Sequence, residues 1–163
     1  MSREGTAARS PAAPGGPAYA SWHREAASMA AQEIEVLEAN AAFYRAFAER
    51  DVDAMARLWA ERAPVACVHP GWDALDGREE VLRSWRDILS SPGAPEIRCT
   101  RAAAHVLGES AYVVCHEVLP SARLVATNVF VREAGGWRMV HHQATPIAPG
   151  QARPSAPSRG PVN

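Results

Sequence analysis

Histidine is the residue type in this chain that is best suited to acid–base chemistry. A neutral imidazole with a pKa of about 6.5 accepts a proton at neutral pH, and its conjugate acid can return that proton to a leaving group. His69 ends one apolar stretch before Pro70, and His141 and His142 lie in another near the end of the chain. We therefore expect a proton-transfer site if folding brings His69 and His141 into one cavity.

The other reactive residue types argue against nucleophilic and cofactor-dependent chemistry. All 17 basic residues are arginine, so a Schiff base on a protein lysine is excluded. The sequence has no Gly-x-Ser-x-Gly elbow, no phosphate-binding loop and no dinucleotide fingerprint, so we expect no cofactor. Cys67, Cys99 and Cys115 lie in apolar stretches, where we expect buried, reduced thiols.

Charge and hydropathy restrict the class of partner. The net charge is -1 and no dense arginine block is present, so nothing indicates binding to nucleic acid or to an anionic membrane. No segment approaches the roughly 20 apolar residues of a membrane span, and no signal-peptide run follows Arg3 and Arg9. We expect a cytoplasmic protein that binds a small hydrophobic molecule.

Composition divides the chain into one domain and two tails. Residues 1–21 and 149–163 are rich in Ala, Pro, Gly and Ser, and such segments cannot bury enough apolar surface to offset the entropy of ordering them. We expect both tails to be disordered. Residues 22–148 are then a single domain, a common size for one hydrophobic core.

Within the domain, apolar spacing predicts helices first and strands afterwards. Apolar residues at three- and four-residue steps predict a long helix over residues 22–49 and two shorter ones over about 51–62 and 78–89. A strand over 65–69 separates the shorter helices. Four more strands with short turns are predicted at residues 96–106, 110–119, 123–132 and 137–145. This order indicates an α+β fold.

Strand alternation limits which side chains can share a cavity, because residues two apart lie on one face of a sheet. His116 and Glu117 are adjacent, so only one of them faces inward, and the pattern does not say which. An inward His116 would let three histidines approach one another as in a zinc site. No helical histidine pair supports such a site, and we expect no metal.

Several segments, in this order and spacing, resemble the SnoaL-like branch of the nuclear-transport-factor-two-like superfamily. They are residues 43–55 (FYRAFAERDVDAM), 68–70 (VHP), 76–81 (DGREEV) and 136–142 (GWRMVHH). The resemblance covers about residues 33–147. It implies a cone in which a curved antiparallel sheet wraps around the long N-terminal helix and two shorter helices. It also implies a pocket at the open end and a homodimer formed by the outer sheet face.

The resemblance also suggests site residues. His69 stands where the ketosteroid isomerase branch has its basic aspartate, and Asn128 where it has a protonated aspartate. Phe43 replaces the tyrosine of that site. We therefore do not expect steroid isomerisation, because every matching position is changed.

The predicted site uses His69 as general base, His141 as its partner or acid, and Asn128 as a donor to a developing enolate oxygen. The family register turns His141 and Gln143 inward and His142 outward. The expected ligand-binding residues are Tyr44, Trp59, Trp72, Trp85, His116 and Gln143.

Two functions remain open at this point. One is a cofactor-independent isomerase, dehydratase or cyclase that transfers a proton on a hydrophobic substrate. The alternative is a non-catalytic ligand-binding or dimeric assembly domain, in which the histidines are structural. In either case we expect a homodimer through an outer sheet face that carries Val125, Thr127, Val129, Val131 and His142.

Overall fold

The computed structural model describes residues 17–148 and Gly150. The described elements follow the chain as α1 (Pro17–Glu49), α2 (Val52–Leu58), β1 (Ala66–Val68), β2 (Leu75–Asp76), α3 (Arg78–Ser90), β3 (Arg98–Leu107), β4 (Ser110–Val118), β5 (Arg123–Glu133) and β6 (Gly136–Pro146). The α+β class predicted from apolar spacing is confirmed. None of the helices in this part of the chain is long and apolar enough to cross a membrane.

The six strands form one sheet in the order β2-β1-β6-β5-β4-β3. Strands β3 to β6 are an antiparallel meander, as their short turns predict. The sheet as a whole is mixed rather than antiparallel, because β1 pairs with β6 in parallel. Strand β1 reaches this position because α2 returns the chain to the side of the sheet where β6 lies, and Trp59 makes a parallel bridge to Met139.

Helix α1 begins at Pro17, five residues before the predicted domain boundary at Trp22. Proline is compatible with a first helical turn because its missing N–H has no partner there in any helix. Side chains from Trp22 to Ala31 are exposed, and burial begins at Val36. The remaining residues of the two predicted tails, 1–16, 149 and 151–163, lie outside the described residues.

The end of α1 is fixed by its own backbone. Arg50 adopts a left-handed φ of 55°, its N–H donates to Phe47 O, and the Asp51 N–H donates to Ala46 O. This pair of bonds satisfies carbonyl groups that a helix end otherwise leaves unpaired. Asp51 then caps α2 by accepting the Ala54 N–H at 2.8 Å. The tight connection packs α2 against α1.

The core lies between the helices and the inner face of the sheet. Its largest fully buried apolar side chains are Phe43 from α1, Met55 and Trp59 from α2 and its end, Phe130 from β5 and Met139 from β6. Burying a side chain of this size stabilises the fold by about 1.5–3 kcal/mol. The polar inner-face residues are therefore held in place by surrounding apolar packing.

A β-bulge in β6 changes which residues of this strand face inward. Phe130 pairs with Met139 and Val129 pairs with His141, so Val140 has no partner of its own. An extra residue inverts the alternation beyond it. Trp137 and Met139 are buried before the bulge, and His142 and Ala144 are buried after it; the outward residues beyond the bulge are His141 and Gln143.

Candidate functional site

A cavity of about 380 Å³ opens at the end of the sheet where β4 ends and β5 begins. Helix α3, the loop after β1 and the end of β6 close its sides. Its walls are mostly apolar, and the polar side chains on them are His69, Glu117 and His142. A largely apolar cavity with a few convergent polar groups is the usual form of a small-molecule site.

His69 directly follows β1 and is buried. Its Nε2 lies 2.8 Å from Ser84 Oγ on α3, and the Ser84 hydroxyl donates to Val81 O at 2.8 Å. Because the hydroxyl proton is used there, His69 Nε2 carries a proton and donates to Ser84. The lone pair of the ring is then on Nδ1, which is the atom able to accept a proton.

Two tryptophans hold the His69 ring edge-to-face. The ring centroid of Trp72 lies 4.9 Å away and that of Trp85 lies 4.6 Å away. Burial lowers the pKa of His69 to about 4, because a charged imidazole would lose its hydration in this setting. His69 is therefore neutral across the physiological range.

Of the two adjacent residues His116 and Glu117, whose orientation the alternation of β4 left open, the one on the cavity wall is Glu117. It faces inward and is buried, whereas His116 lies half-buried on the outer face. The expectation that His116 lines the pocket is wrong, and with it the three-histidine arrangement. Tyr44 donates to Glu117 Oε1 at 2.9 Å. Burial raises the pKa of Glu117, and the hydrogen bond from Tyr44 offsets part of that effect.

His142 stands on the cavity wall where His141 was expected. Its Nδ1 lies 2.6 Å from Asn128 Oδ1, and Asn128 Nδ2 donates to Asn40 Oδ1 at 2.7 Å. Since the Asn128 oxygen is the atom facing the ring, His142 Nδ1 carries the proton. His142 Nε2, which then keeps its lone pair, lies 3.9 Å from Glu117 Oε1.

His142 and Glu117 stand at ion-pair distance, yet each is driven toward its neutral form. Burial is the main cause that lowers the pKa of His142 to about 3, with smaller contributions from His69 and His141. Burial also raises the pKa of Glu117. The cavity wall therefore presents neutral imidazoles beside a carboxyl group that resists ionisation.

Asn128 supports the site from behind. It is fully buried, its amide group donates to Asn40 at 2.7 Å and to Tyr44 at 3.4 Å, and it is not among the residues that line the cavity. The structure therefore does not place Asn128 where a donor to a substrate oxygen must be. Its geometry is that of a positioning residue for His142.

The structure brings together only part of the predicted site. The predicted residues on the cavity wall are His69, Trp72 and Trp85. Tyr44 lies one contact behind the wall, on Glu117, and Trp59 is fully buried in the core. The predicted residues on the outer face are His116, His141 and Gln143.

Sequence reasoning missed Asn40 and Ser84, predicted His142 on the outer face, and left open whether Glu117 or His116 faces inward. Glu117 shares its parity in β4 with Val113 and Cys115, and that shared parity was the available signal. His142 gave no such signal, because its inward position depends on the bulge at Val140.

A curved, unclosed sheet packed against a long helix is the cystatin-like, NTF2-like fold, which similar solved structures share. This chain belongs to the SnoaL-like domain family, whose model matches residues 36–149. The family resemblance read from the sequence is thereby confirmed.

Solved structures of the same fold show how diverse these relatives are. A candidate dehydratase of the NTF2-like family from Streptomyces avermitilis is 35% identical with a TM-score of 0.66, covering 72% of this chain and 97% of that one. A candidate calcium/calmodulin-dependent protein kinase type II association domain from Thiobacillus denitrificans is 34% identical with a TM-score of 0.60, covering 68% and 93%.

The F-box protein SKIP8 of Arabidopsis thaliana is 28% identical over 112 residues, which are 68% of this chain. The chain spans about half the length of that curated relative, since the match covers 48% of it.

Proposed function

We propose that this protein binds a small, largely apolar carbonyl compound and transfers a proton on it without a cofactor, as a dehydratase, isomerase or cyclase does. The observation that carries the proposal is the cavity of about 380 Å³ with a neutral imidazole, His69, and a protonatable carboxyl, Glu117, on the same apolar wall. The candidate dehydratase that is 35% identical supports this class of reaction.

Dehydration of a β-hydroxy ketone shows how the two groups would share the work. His69 Nδ1 takes the proton from the carbon next to the carbonyl, and a carbon–carbon double bond forms as the carbon–oxygen bond breaks. The Glu117 carboxyl gives its proton to the leaving hydroxide, which departs as water. Groups whose surroundings separate their pKa values in this way are suited to opposite proton-transfer roles.

Loss of the base should stop this chemistry. We expect His69→Ala to lower turnover by about 10²–10⁴-fold, the usual contribution of a positioned general base. The measurement uses a panel of aromatic β-hydroxy ketones in D2O, with exchange of the α-hydrogen followed by NMR and enone formation by absorbance. His105→Ala is the matched control, because His105 is exposed on β3 and stacks on Tyr112 away from the cavity. Equal rates in the wild type and both variants would contradict the proposal.

A second candidate function is a non-catalytic assembly or ligand-binding domain. The candidate kinase association domain that is 34% identical favours it, as does the valine-rich outer face of β5. Under this function the same ketones would raise the melting temperature of the protein, and no α-hydrogen would exchange. The two functions are therefore separated by measuring binding and exchange on the same samples.

A further inference from the structure

Two thiols lie side by side on the inner face of the sheet, close to the polar cluster but outside the cavity. Cys99 of β3 stands directly opposite Glu117 of β4, and Cys115 is two residues from Glu117 on the same face. Both cysteines are free, and they occupy diagonal positions on neighbouring strands. Cys99 was expected to be buried, whereas the structure leaves it half-buried.

The two sulfurs have different surroundings. Cys99 lines a surface groove together with Arg45, Arg98 and Arg101, and its sulfur accepts an N–H from Asn40 at 3.7 Å. Cys115 is fully buried, with its sulfur 3.1 Å from the Tyr44 hydroxyl. A half-buried sulfur at a groove, beside a shielded second sulfur, is the arrangement of a reactive thiol and its resolving partner.

We propose that Cys99 and Cys115 are a peroxide-sensitive dithiol that a hydroperoxide converts into an intrachain disulfide. In the first step the Cys99 thiolate attacks the peroxide: a sulfur–oxygen bond forms, the oxygen–oxygen bond breaks, and water leaves when the oxidant is hydrogen peroxide. In the second step the Cys115 sulfur attacks the resulting sulfenic acid, the sulfur–sulfur bond forms, and the hydroxide leaves as water with the Cys115 proton.

The local backbone favours closure of this bond. Pairing between β3 and β4 passes from Thr100–His116 to Ala103–Val114, so Arg101 and Ala102 together oppose Cys115 without regular partners. Arg101 has a left-handed φ of 56°. Regular diagonal positions of an antiparallel pair lie about 7–8 Å apart, more than a disulfide spans, so the two cysteines must move closer to form the bond. A bulge beside one of them allows that approach with little loss of ladder hydrogen bonds.

The ionisation of Cys99 is consistent with its role as the attacking thiol, whereas the interaction with Cys99 and burial raise the pKa of Cys115, whose sulfur reacts only after Cys99 is oxidised. The hydrogen bond from Cys115 is the main cause that lowers the pKa of Cys99, with a smaller contribution from Asn40. Burial raises the pKa of Cys67 to about 12, so Cys67 is expected to be inert toward peroxide. Cys67 is therefore a matched internal control.

The disulfide would also change the cluster behind the cavity. Its formation changes the Cys99 sulfur that accepts from Asn40 and the Cys115 sulfur that contacts Tyr44. Tyr44 hydrogen-bonds to Glu117, and Asn40 hydrogen-bonds to Asn128. Oxidation would therefore change the contacts of residues that position the cavity wall. The dithiol itself does not depend on whether the cavity is catalytic.

The test uses the full reduced chain treated with hydrogen peroxide after the reductant is removed. We expect the intact mass to fall by that of two hydrogen atoms in the wild type and in Cys67→Ser. Trypsin cleaves after Arg98, Arg101 and Arg123, so a Cys99–Cys115 bond joins peptide 99–101 to peptide 102–123 in a digest without reductant. Dithiothreitol should restore the original mass.

Single variants separate the two steps. Cys99→Ser should leave the mass unchanged, and Cys115→Ser should stop at one added oxygen atom on Cys99 that dimedone traps. The proposal is overturned if the peroxide-treated wild type, with an unchanged circular dichroism spectrum, keeps both thiols free. It is also overturned if peptide mapping finds the bond on Cys67, or if Cys115→Ser still forms an intrachain disulfide.

Discussion

At the scale of single residues, the cavity wall carries ionisable groups whose neutral forms are favoured by burial. Glu117 loses hydration on burial and gains one hydrogen bond, from Tyr44 at 2.9 Å. A single neutral donor does not replace the hydration of a carboxylate, so the protonated form is favoured. This follows from placing Glu117 on the inner face of β4, which an alternating pattern could have indicated.

Because the pKa of Glu117 is raised in the folded state, the contribution of Glu117 to the free energy of unfolding depends on pH. A group whose pKa is higher in the folded state stabilises the fold fully below its unfolded pKa, and that contribution is lost as pH rises through the folded pKa. Glu117→Gln keeps an acceptor for Tyr44 and cannot ionise. We expect the variant to melt higher than the wild type at pH 8, on the order of 5 °C, and nearly equal to it at pH 4.5.

The comparison is made by calorimetry at both pH values, with Glu109→Gln as control, because Glu109 is exposed in the turn between β3 and β4. His69 and His142 destabilise both proteins as pH falls from about 6.5 toward their folded pKa values, and this effect cancels in the difference. A variant that melts lower than the wild type at pH 8 would show that Glu117 is ionised and stabilising there.

At the scale of secondary-structure elements, apolar spacing is sufficient for the order of helices and strands. Helix α3 has a buried stripe, and strands β4 and β5 alternate between buried and half-buried residues, so local periodicity carries the information. The register of β6 cannot be predicted from periodicity in this way, because the strand contains a bulge. Val140 loses its partner only because β5 pairs with residues on both sides of it. A contact between strands decides the register, and the strand's own sequence does not contain it.

The bulge explains which site residues were predicted on the wrong face of the sheet. His69, Trp72 and Trp85 were placed correctly because no irregularity separates them from the elements that position them. His141 and Gln143 were placed on the wrong face because both follow the bulge. A shift of one residue exchanges the two faces of every position beyond it.

Because the N-terminal half of α1 is exposed, we expect that it can be removed with little effect on the stability of the domain. Side chains from Trp22 to Ala31 are exposed, whereas Val36 and Asn40 are fully buried. We expect deletion of residues 1–30 to change the melting temperature by less than about 5 °C, equivalent to roughly 1 kcal/mol for a domain of this size. Differential scanning calorimetry of the truncated and full chains is the measurement.

Deletion of residues 1–40 is the contrasting variant. It removes Val36 and the Asn40 partner of Asn128, and we expect it to lose cooperative unfolding. A large drop already on deletion of residues 1–30 would show that the exposed half of α1, with Trp22 and Met29, packs on another surface in solution.

At the scale of the whole molecule, no helix or strand among the described residues covers the outer face of the sheet. The half-buried outward residues of β4 and β5 are Tyr112, Val114, His116, Val118, Val125, Thr127, Val129 and Val131. The bulge adds His141 to this face in place of His142, which was expected there and lies inside instead. A continuous β-branched surface of this kind is typical of an interface.

We therefore propose that the protein is a homodimer through this face, and we expect one charge at its centre to separate the protomers. Val129→Arg introduces two buried arginines into a twofold-symmetric interface, because each protomer contributes the same surface. An unpaired buried charge costs several kcal/mol, so dissociation should be favoured on the order of 10²-fold or more. Sedimentation velocity at micromolar concentration should give a dimer for the wild type and a monomer for Val129→Arg. Ser121→Arg, in the exposed turn between β4 and β5, should remain a dimer. A wild type that sediments as a monomer at this concentration would rule the interface out.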